Sequence, residues 1–328
     1  MIIKKIQLTN FRNHSDYLLE CNDDTTLIIG KNGYGKTSVL EAIYILTRGK
    51  SFRATDKDII KRGTSFYRIR LDFMDGKTNV ATYDNKAKTF IINEQKSKRL
   101  PVKSKYPVVL FLPSDLNLIS SSPSRRRDYF DRIFSEFSEK YHQALLKYNK
   151  ALKQRNELLK KDVITKDMIF SWNLLLAKYG VELYQYRSEY IEEINNNYND
   201  LYFSITNRQD DIMIDYKTDL SNSSAEKYLQ NLEQSFTKDS YLGHTSYGVH
   251  RDDYIFMFNQ EIADGSASRG ESRSMILALK FIEASLIEQK LNLKPIILLD
   301  DVFSELDEMH RSSLVKNFKD HQIIITSV

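Results

Sequence analysis

The chain has 328 residues, 41% hydrophobic and 28% charged, which suits a globular protein with one large α/β domain or two ordinary ones. A net charge of +4 favours an acidic partner only mildly, and the single cysteine, Cys21, excludes an internal disulfide framework and a cysteine-based zinc cluster. No stretch approaches the roughly 20 apolar residues that span a bilayer. The N-terminus, MIIKKIQLTNFRNH, turns polar too soon for a signal peptide, so a cytoplasmic protein without membrane attachment is expected.

Residues 1–115 read as short apolar runs broken by turns: MIIKKIQL, TTLIIG, YRIRLDF, TFIINE and YPVVLFLP. Their lengths and β-branched content predict strands. One helix interrupts them, running through Ser38, Leu40, Ala42 and Leu46. Near Ser120 the text becomes helical. Ser122-Pro123-Ser124 is a start signal, and Phe130, Phe134, Phe137, Tyr141, Leu145, Tyr148 and Leu152 form one stripe of a single long helix. A second helix carries Trp172, Leu176, Tyr179, Leu183, Tyr186 and Tyr190 and is expected to fade in the polar NNNYND. Strand-like text returns at DDIMIDY and SYGVHRDDYIFMF, followed by a helix, MILALKFIEASLIEQKL, and two strands, PIILLDD and HQIIITSV. The fold class is α/β. Its first part spans 1–115 and its second 241–328, around a mostly helical insertion at 116–240.

The stretch LIIGKNGYGKTSVLEAIY places Gly30, Gly35, Lys36 and Thr37 in the G-x-x-x-x-G-K-[ST] pattern, between a strand and a helix as that motif requires. Residues Gly30, Lys31, Asn32, Gly33, Tyr34, Gly35, Lys36, Thr37 and Ser38 would wrap the phosphates of a nucleotide. Glycines let backbone N–H groups converge on phosphate oxygens, and the helix N-terminus adds a favourable dipole. Lys36 would reach the β- and γ-phosphates, and Thr37 would ligand Mg²⁺. PIILLDD, ending in Asp300 and Asp301, reads as a central parallel strand with its carboxyl end at the site. Two adjacent carboxylates are costly to bury unpaired, and a Mg²⁺ ion would compensate them. Asp300 is therefore assigned to the metal, and Asp301 and Lys36 to catalysis, with Asp301 orienting the attacking water. That division points to a hydrolase or slow switch and away from a kinase.

In SASRGESRSMILALKFIEA, Ser268 and Glu271 form an S-x-x-E capping box before an apolar-periodic helix. Gly270 stands in the first turn, where it costs about 1 kcal/mol relative to alanine. A glycine there suits the close approach of an anion to the helix N-terminus. Ser268, Arg269, Gly270 and Glu271 resemble the signature motif of ABC-type ATPases, and SELD, from Ser304 to Asp307, resembles their D-loop. In that superfamily each signature helix caps the γ-phosphate held by the other subunit, so one copy of each motif implies an ATP-dependent homodimer. Glu271 stands where the superfamily often has Gln, and its charge would repel a γ-phosphate unless the capping box turns it back.

The blocks IQLTNFRNH, TRGKSFR, FLPSDLNLISSSPSRRRDYFD, GVHRDD and DDVFSELD, in this order over nearly the whole chain, resemble the RecF family of recombination mediators. The insertion is too short for the coiled coils of SMC or Rad50 proteins, which share the same head. Glu271 and the end at ITSV, where relatives run further, are its departures. The resemblance implies an ABC-type, SMC/Rad50-like P-loop ATPase head with an inserted helical lobe. It implies that Arg12 and Asn13 help to hold ATP. Thr326 lies where many ABC proteins carry a switch histidine; its hydroxyl could position water but takes no charge, so slow hydrolysis is expected, and the resemblance implies a DNA-stimulated ATPase. It also implies binding to duplex DNA near gaps and single-strand/double-strand junctions, with RecR and RecO as partners in recombinase loading for repair and replication. Candidate phosphate contacts are Arg48, Lys50 and Arg53 after the first helix, and Arg125, Arg126 and Arg127, which would give salt-dependent affinity indifferent to sequence. A RecF-like ATPase of a phage-defence system is the alternative. A transporter subunit is disfavoured by the insertion, and a small-molecule kinase by the signature helix.

Overall fold

The computed structural model describes residues 2–220 and 224–327. The chain divides into two units, Met1–Leu116 with Glu283–Val328, and Asn117–Ile282. Among the described residues no helix is long and apolar enough to cross a membrane.

The first unit holds two sheets. In the antiparallel one, β1 (Ile3–Phe11) lies between β2 (His14–Glu20) and β4 (Tyr67–Phe73), and β5 (Thr78–Tyr83), β6 (Lys88–Ile92) and β7 (Gln95–Ser97) follow outward. Strand β4 shows the alternation that builds such a layer: Tyr67, Ile69, Leu71 and Phe73 are buried and the arginines between them are not. The other sheet is parallel, in the order β3 (Thr25–Ile29), β13 (Ile323–Ser327), β12 (Ile296–Asp300) and β8 (Val108–Phe111). Every residue of β12 is buried, which is why PIILLDD reads as one apolar run. Helix α1 (Lys36–Arg48) packs against strands of both sheets, with Val39, Leu40, Ile43 and Leu46 among Ile6, Leu8, Ile69 and Leu298. Each such buried Leu or Ile contributes about 1.5–3 kcal/mol. Short α2 (Asp56–Ile59) and α10 (Glu308–Asn317) complete this unit.

The second unit begins with α3 (Pro123–Phe137), started by the Ser122 hydroxyl, which accepts from Arg125 N. The single long helix expected from here is two helices, because the chain turns extended at Ser138 (φ −128°, ψ 101°). The Ser138 hydroxyl caps α4 (Glu139–Leu159) by accepting from Tyr141 N at 3.2 Å. After the break the inward face is Ala144, Tyr148, Ala151 and Arg155, and the expected Leu145 and Leu152 are only half-buried. Arg155 explains the difference: wholly buried, it donates to Asn173 (2.7 Å), Asp239 (2.7 Å) and Thr245 (2.8 Å). A satisfied polar network occupies core that apolar periodicity assigns to leucine.

Helix α5 (Lys166–Thr206) does not fade in NNNYND. Asn195 and Asn199, one turn apart, serve β9 (Ile212–Lys217), the edge of a three-stranded sheet: Asn195 brackets Ile214 N and O at 2.8 and 2.9 Å, and Asn199 accepts from Ile212 N at 2.8 Å. The asparagines stand in for a missing neighbour strand. Helices α6 (Ala225–Gln234) and α7 (Phe236–Leu242) follow, then β10 (Asp253–Phe258), β11 (Glu261–Ile262), α8 (Ala263–Ser266) and α9 (Arg269–Leu291). The insertion was expected to end at 240, but the second unit runs to 282. It does so because β10 pairs along β9, and Tyr198 of α5 donates to Met275 O in α9 at 3.0 Å.

Candidate functional site

Strand β3 ends at Ile29, and the loop after it turns through left-handed backbone at Gly33 (φ 84°) and Gly35 (φ 87°) before α1 begins at Lys36. Gly35 has a second constraint, since a Cβ there would lie 2.5 Å from His14 Nε2. Tyr34 is exposed at the tip, and Lys31, Asn32 and Gly33 are exposed beside it. Lys36 is buried, with Nζ folded back onto the carbonyls of Gly30 and Lys31. These are weak acceptors for an ammonium, which a phosphate oxygen would replace with a stronger, charge-assisted bond.

The acid pair sits at the carboxyl end of β12, opposite Thr326 of β13. Thr37 Oγ1 donates to Asp300 Oδ1 at 2.7 Å, and Thr326 Oγ1 reaches the same oxygen at 3.0 Å. Burial pushes the Asp300 carboxyl above its usual range, and the neighbouring Asp301 charge adds to that. Asp301 takes the left-handed region (φ 50°, ψ 14°), its N–H held by Thr326 Oγ1 at 2.9 Å. Its buried Oδ1 has no hydrogen-bond partner among the described residues and lies 4.0 Å from Lys36 Nζ. A threonine hydroxyl paired with a buried carboxylate, beside a second carboxylate oxygen without a donor, fits a hydrated divalent cation and an attacking water. The expected role of Thr326 in positioning water is corrected, because its hydroxyl is buried and engaged by the acid pair.

Lys36, Thr37 and Asp301 open on a cleft of about 470 Å³ that Arg12, Asn13, Ser38, Arg53 and Ala54 also line. Asn13 Nδ2 donates to Gly33 O at 2.9 Å, tying the turn after β1 to the phosphate loop. Arg53, expected among the DNA contacts, is found here instead, bonded to Glu41 of α1 (2.9 Å) together with Arg12 (2.7 Å). Sequence reasoning passed over Glu41, although a lone charge inside SVLEAIYIL was the available signal. It also passed over His14, whose ring stands against Gly35.

Elsewhere, in the second unit, Ser268, Arg269 and Gly270 are exposed at the start of α9. The capping box is formed: Ser268 N donates to Glu271 Oε2 (2.8 Å) and Glu271 N to Ser268 Oγ (3.3 Å). The Ser268 bonds, then Arg208 at 2.8 Å from Oε1, hold the Glu271 carboxyl below its usual range. Its charge is thus turned back along the helix. A Cβ at Gly270 would meet nothing within 4 Å, so no neighbour within the chain requires glycine there. Near the acid pair, Ser304 Oγ donates to Asp301 O at 2.6 Å, while Asp307 caps α10 by accepting from His310 N at 3.0 Å.

Of the remaining DNA candidates, Arg126 is corrected to a structural role. It is buried, forks onto Asp253 at 2.7 and 2.8 Å and also donates to the carbonyls of Ile119 and Ser121. Arg127 donates to Asp252 O at 2.6 Å, Arg48 is half-buried, and Arg125 and Lys50 are exposed.

A phosphate loop and an acid pair at the carboxyl ends of a parallel sheet, with a capped and exposed signature helix elsewhere in the chain, define an ABC-type P-loop ATPase head. The RecF/RecN/SMC N terminal domain model matches residues 2–328. The chain is 33% identical to the DNA replication and repair protein RecF of Clostridioides difficile, covering 100% of this chain and 91% of that one, and 32% identical to its counterpart in Clostridium acetobutylicum, covering 99% and 92%. The chain belongs to the RecF family. Among solved structures it is similar to the recombination mediator protein RecF with ATPrS in the RecFOR pathway (TM-score 0.90, 31% identity, 99% and 92% coverage). It is similar too to the same mediator with ATP (TM-score 0.87, 30% identity, 100% and 92%).

Proposed function

We propose that this chain is an ATP-gated, DNA-binding recombination mediator that dimerises on ATP, engages duplex DNA near gaps or single-strand/double-strand junctions, and hydrolyses ATP slowly to let go. The observation that carries the reading is the convergence of Lys36, Thr37 and Asp301 on one cleft at the carboxyl end of the parallel sheet, with buried Asp300 bonded to Thr37. The names of its relatives, DNA replication and repair proteins and an ATP-bound recombination mediator, support the same function, with RecR- and RecO-type proteins as partners.

In this reading Lys36 leaves the loop carbonyls for the β- and γ-phosphates, while Asn32 to Ser38 present backbone N–H groups to the chain of phosphates. Mg²⁺, held by Thr37 and Asp300, would neutralise charge on the β- and γ-phosphate oxygens. Asp301 orients the attacking water and accepts its proton on Oδ1, the oxygen without a donor. Ser268 and the α9 N-terminus of a second copy cap the γ-phosphate, with the exposed Gly270 leaving room for it. Hydrolysis is slow because Thr326 is engaged by the acid pair and offers the water no second base.

Asp301→Asn is expected to bind ATP and accumulate as the dimer, and Lys36→Ala to lose nucleotide binding. Light scattering under saturating ATP is the test. A monomeric Asp301→Asn protein that still binds ATP would remove the dimer from the mechanism.

A further inference from the structure

Glu41 lies outside the phosphate-loop motif, on an otherwise apolar turn of α1, and its side chain is wholly buried. A buried carboxylate is expensive unless it is paired and hydrogen-bonded, and this one is paired twice. Arg12, from the turn between β1 and β2, donates Nε to Oε2 (2.9 Å) and Nη2 to Oε1 (2.7 Å). Arg53, from the loop after α1, donates Nε and Nη2 to Oε2 (3.1 and 2.9 Å), and Ser51 Oγ fills Oε1 at 2.6 Å. Burial raises the carboxyl's pKa, but the bonds from Arg12, Arg53 and Ser51 outweigh it and leave it below the usual value.

One arginine would satisfy the charge. The second leaves a surplus positive charge, and both arginines line the cleft beside the phosphate loop. Their forks are only partly used. Arg12 Nη1 goes to Asp58 O at 3.0 Å, Arg53 Nη2 also reaches Ser38 Oγ at 3.3 Å, and Arg53 Nη1 has no acceptor among the described residues. Arg12 itself stands in left-handed backbone (φ 55°), a conformation that persists only where surrounding contacts hold it.

We infer that Glu41 is a positioning residue for the nucleotide, holding Arg12 and Arg53 as a paired guanidinium wall whose remaining N–H groups meet the phosphate chain of a nucleoside triphosphate. This rests on the nucleotide reading of the cleft. It moves Arg53 from the DNA surface to the ATP site and makes one buried carboxylate responsible for two arginines that lie far apart in sequence.

The test is the affinity of a fluorescent, non-hydrolysable ATP analogue for wild type, Lys36→Ala, Glu41→Gln, Arg53→Ala and the Glu41→Gln/Arg53→Ala double variant, with thermal unfolding as the folding control. Glu41→Gln and Arg53→Ala are each expected to weaken binding about tenfold or more, as loss of a charge-assisted fork does. The double variant is expected to lose less than the product of the two effects, since Glu41 acts through Arg53. A double variant that loses the full product would show Glu41 acting independently and overturn the inference. Analogue binding lost in Lys36→Ala but wild-type in Glu41→Gln and Arg53→Ala would overturn it while leaving the cleft a nucleotide site. No analogue binding by wild type would remove the nucleotide reading itself. If Glu41→Gln fails to fold, Arg53→Ala and Arg53→Lys decide: the lysine keeps the charge without the fork and is expected to remain weakened, and wild-type affinity in both would overturn the inference. Weaker nucleotide-free DNA binding by Arg53→Ala, with analogue binding intact, would return Arg53 to the DNA surface.

Discussion

Asp301 holds a backbone conformation that costs a non-glycine residue about 1–2 kcal/mol, and Thr326 is what fixes it. The same hydroxyl bonds Asp300, so one threonine sets both acids. Thr326→Val keeps the shape and removes both bonds, leaving Asp301 N–H unpaired. Stability is expected to fall by about 1–3 kcal/mol, seen as a lower urea midpoint with unchanged slope. His250 makes a second prediction at this scale. Its ring is half-buried, accepts at Nδ1 from Tyr148 Oη (2.8 Å) and donates from Nε2 to Thr245 O (3.0 Å), the pattern of a neutral imidazole. Burial pushes its pKa from 6.5 down to about 4. The unfolded ring takes a proton near pH 6.5 while the folded ring resists until about 4, so the stability is complete above 6.5 and is lost as pH falls through that window. Its size is on the order of 3 kcal/mol. His250→Gln should flatten the stability profile between pH 7 and 4 relative to wild type; parallel profiles would show that the ring titrates alike in the folded and unfolded chain.

At the scale of elements, sequence reading succeeded where a signal is local and failed where a side chain serves another segment. The phosphate loop, the Ser122 start of α3 and the Ser268–Glu271 box are each written within a few residues, and each forms as written. The polar NNNYND is helical because Asn195 and Asn199 answer to β9, a partner that periodicity along α5 does not contain. Ser138 reads as a polar position in a continuous stripe, yet it ends one helix and caps the next. Arg126 was a candidate phosphate contact and Arg155 went unremarked, and both are buried against carboxylates distant in sequence. Asn195→Leu should expose the cost of this device. It keeps a good helix former but strips Ile214 N and O of their partners, for an expected loss of about 1–3 kcal/mol by urea unfolding. No loss would mean that water serves the β9 edge equally well.

At the scale of the molecule, the family was legible because its blocks are short, ordered and tied to phosphate chemistry, and β3, β12 and β13 bring those blocks of the first unit to one cleft. The order of strands was not legible: β3 and β12 flank β13, the last strand in the chain, and nothing local to any of the three encodes that neighbour. Nor was the division of the arginines. The family resemblance made Arg53 and Arg126 candidate DNA contacts, whereas one lines the cleft beside the phosphate loop and the other is sealed against Asp253. Exposed Lys50 and Arg125 remain as DNA candidates, and their contribution would be salt-dependent and blind to sequence. The most direct measurement is fluorescence anisotropy of a labelled gapped duplex titrated with protein under ATP, ADP and no nucleotide. An ATP-gated clamp predicts markedly tighter binding with ATP than in the other two conditions. Binding that ignores the nucleotide, or none even at low salt, would contradict it.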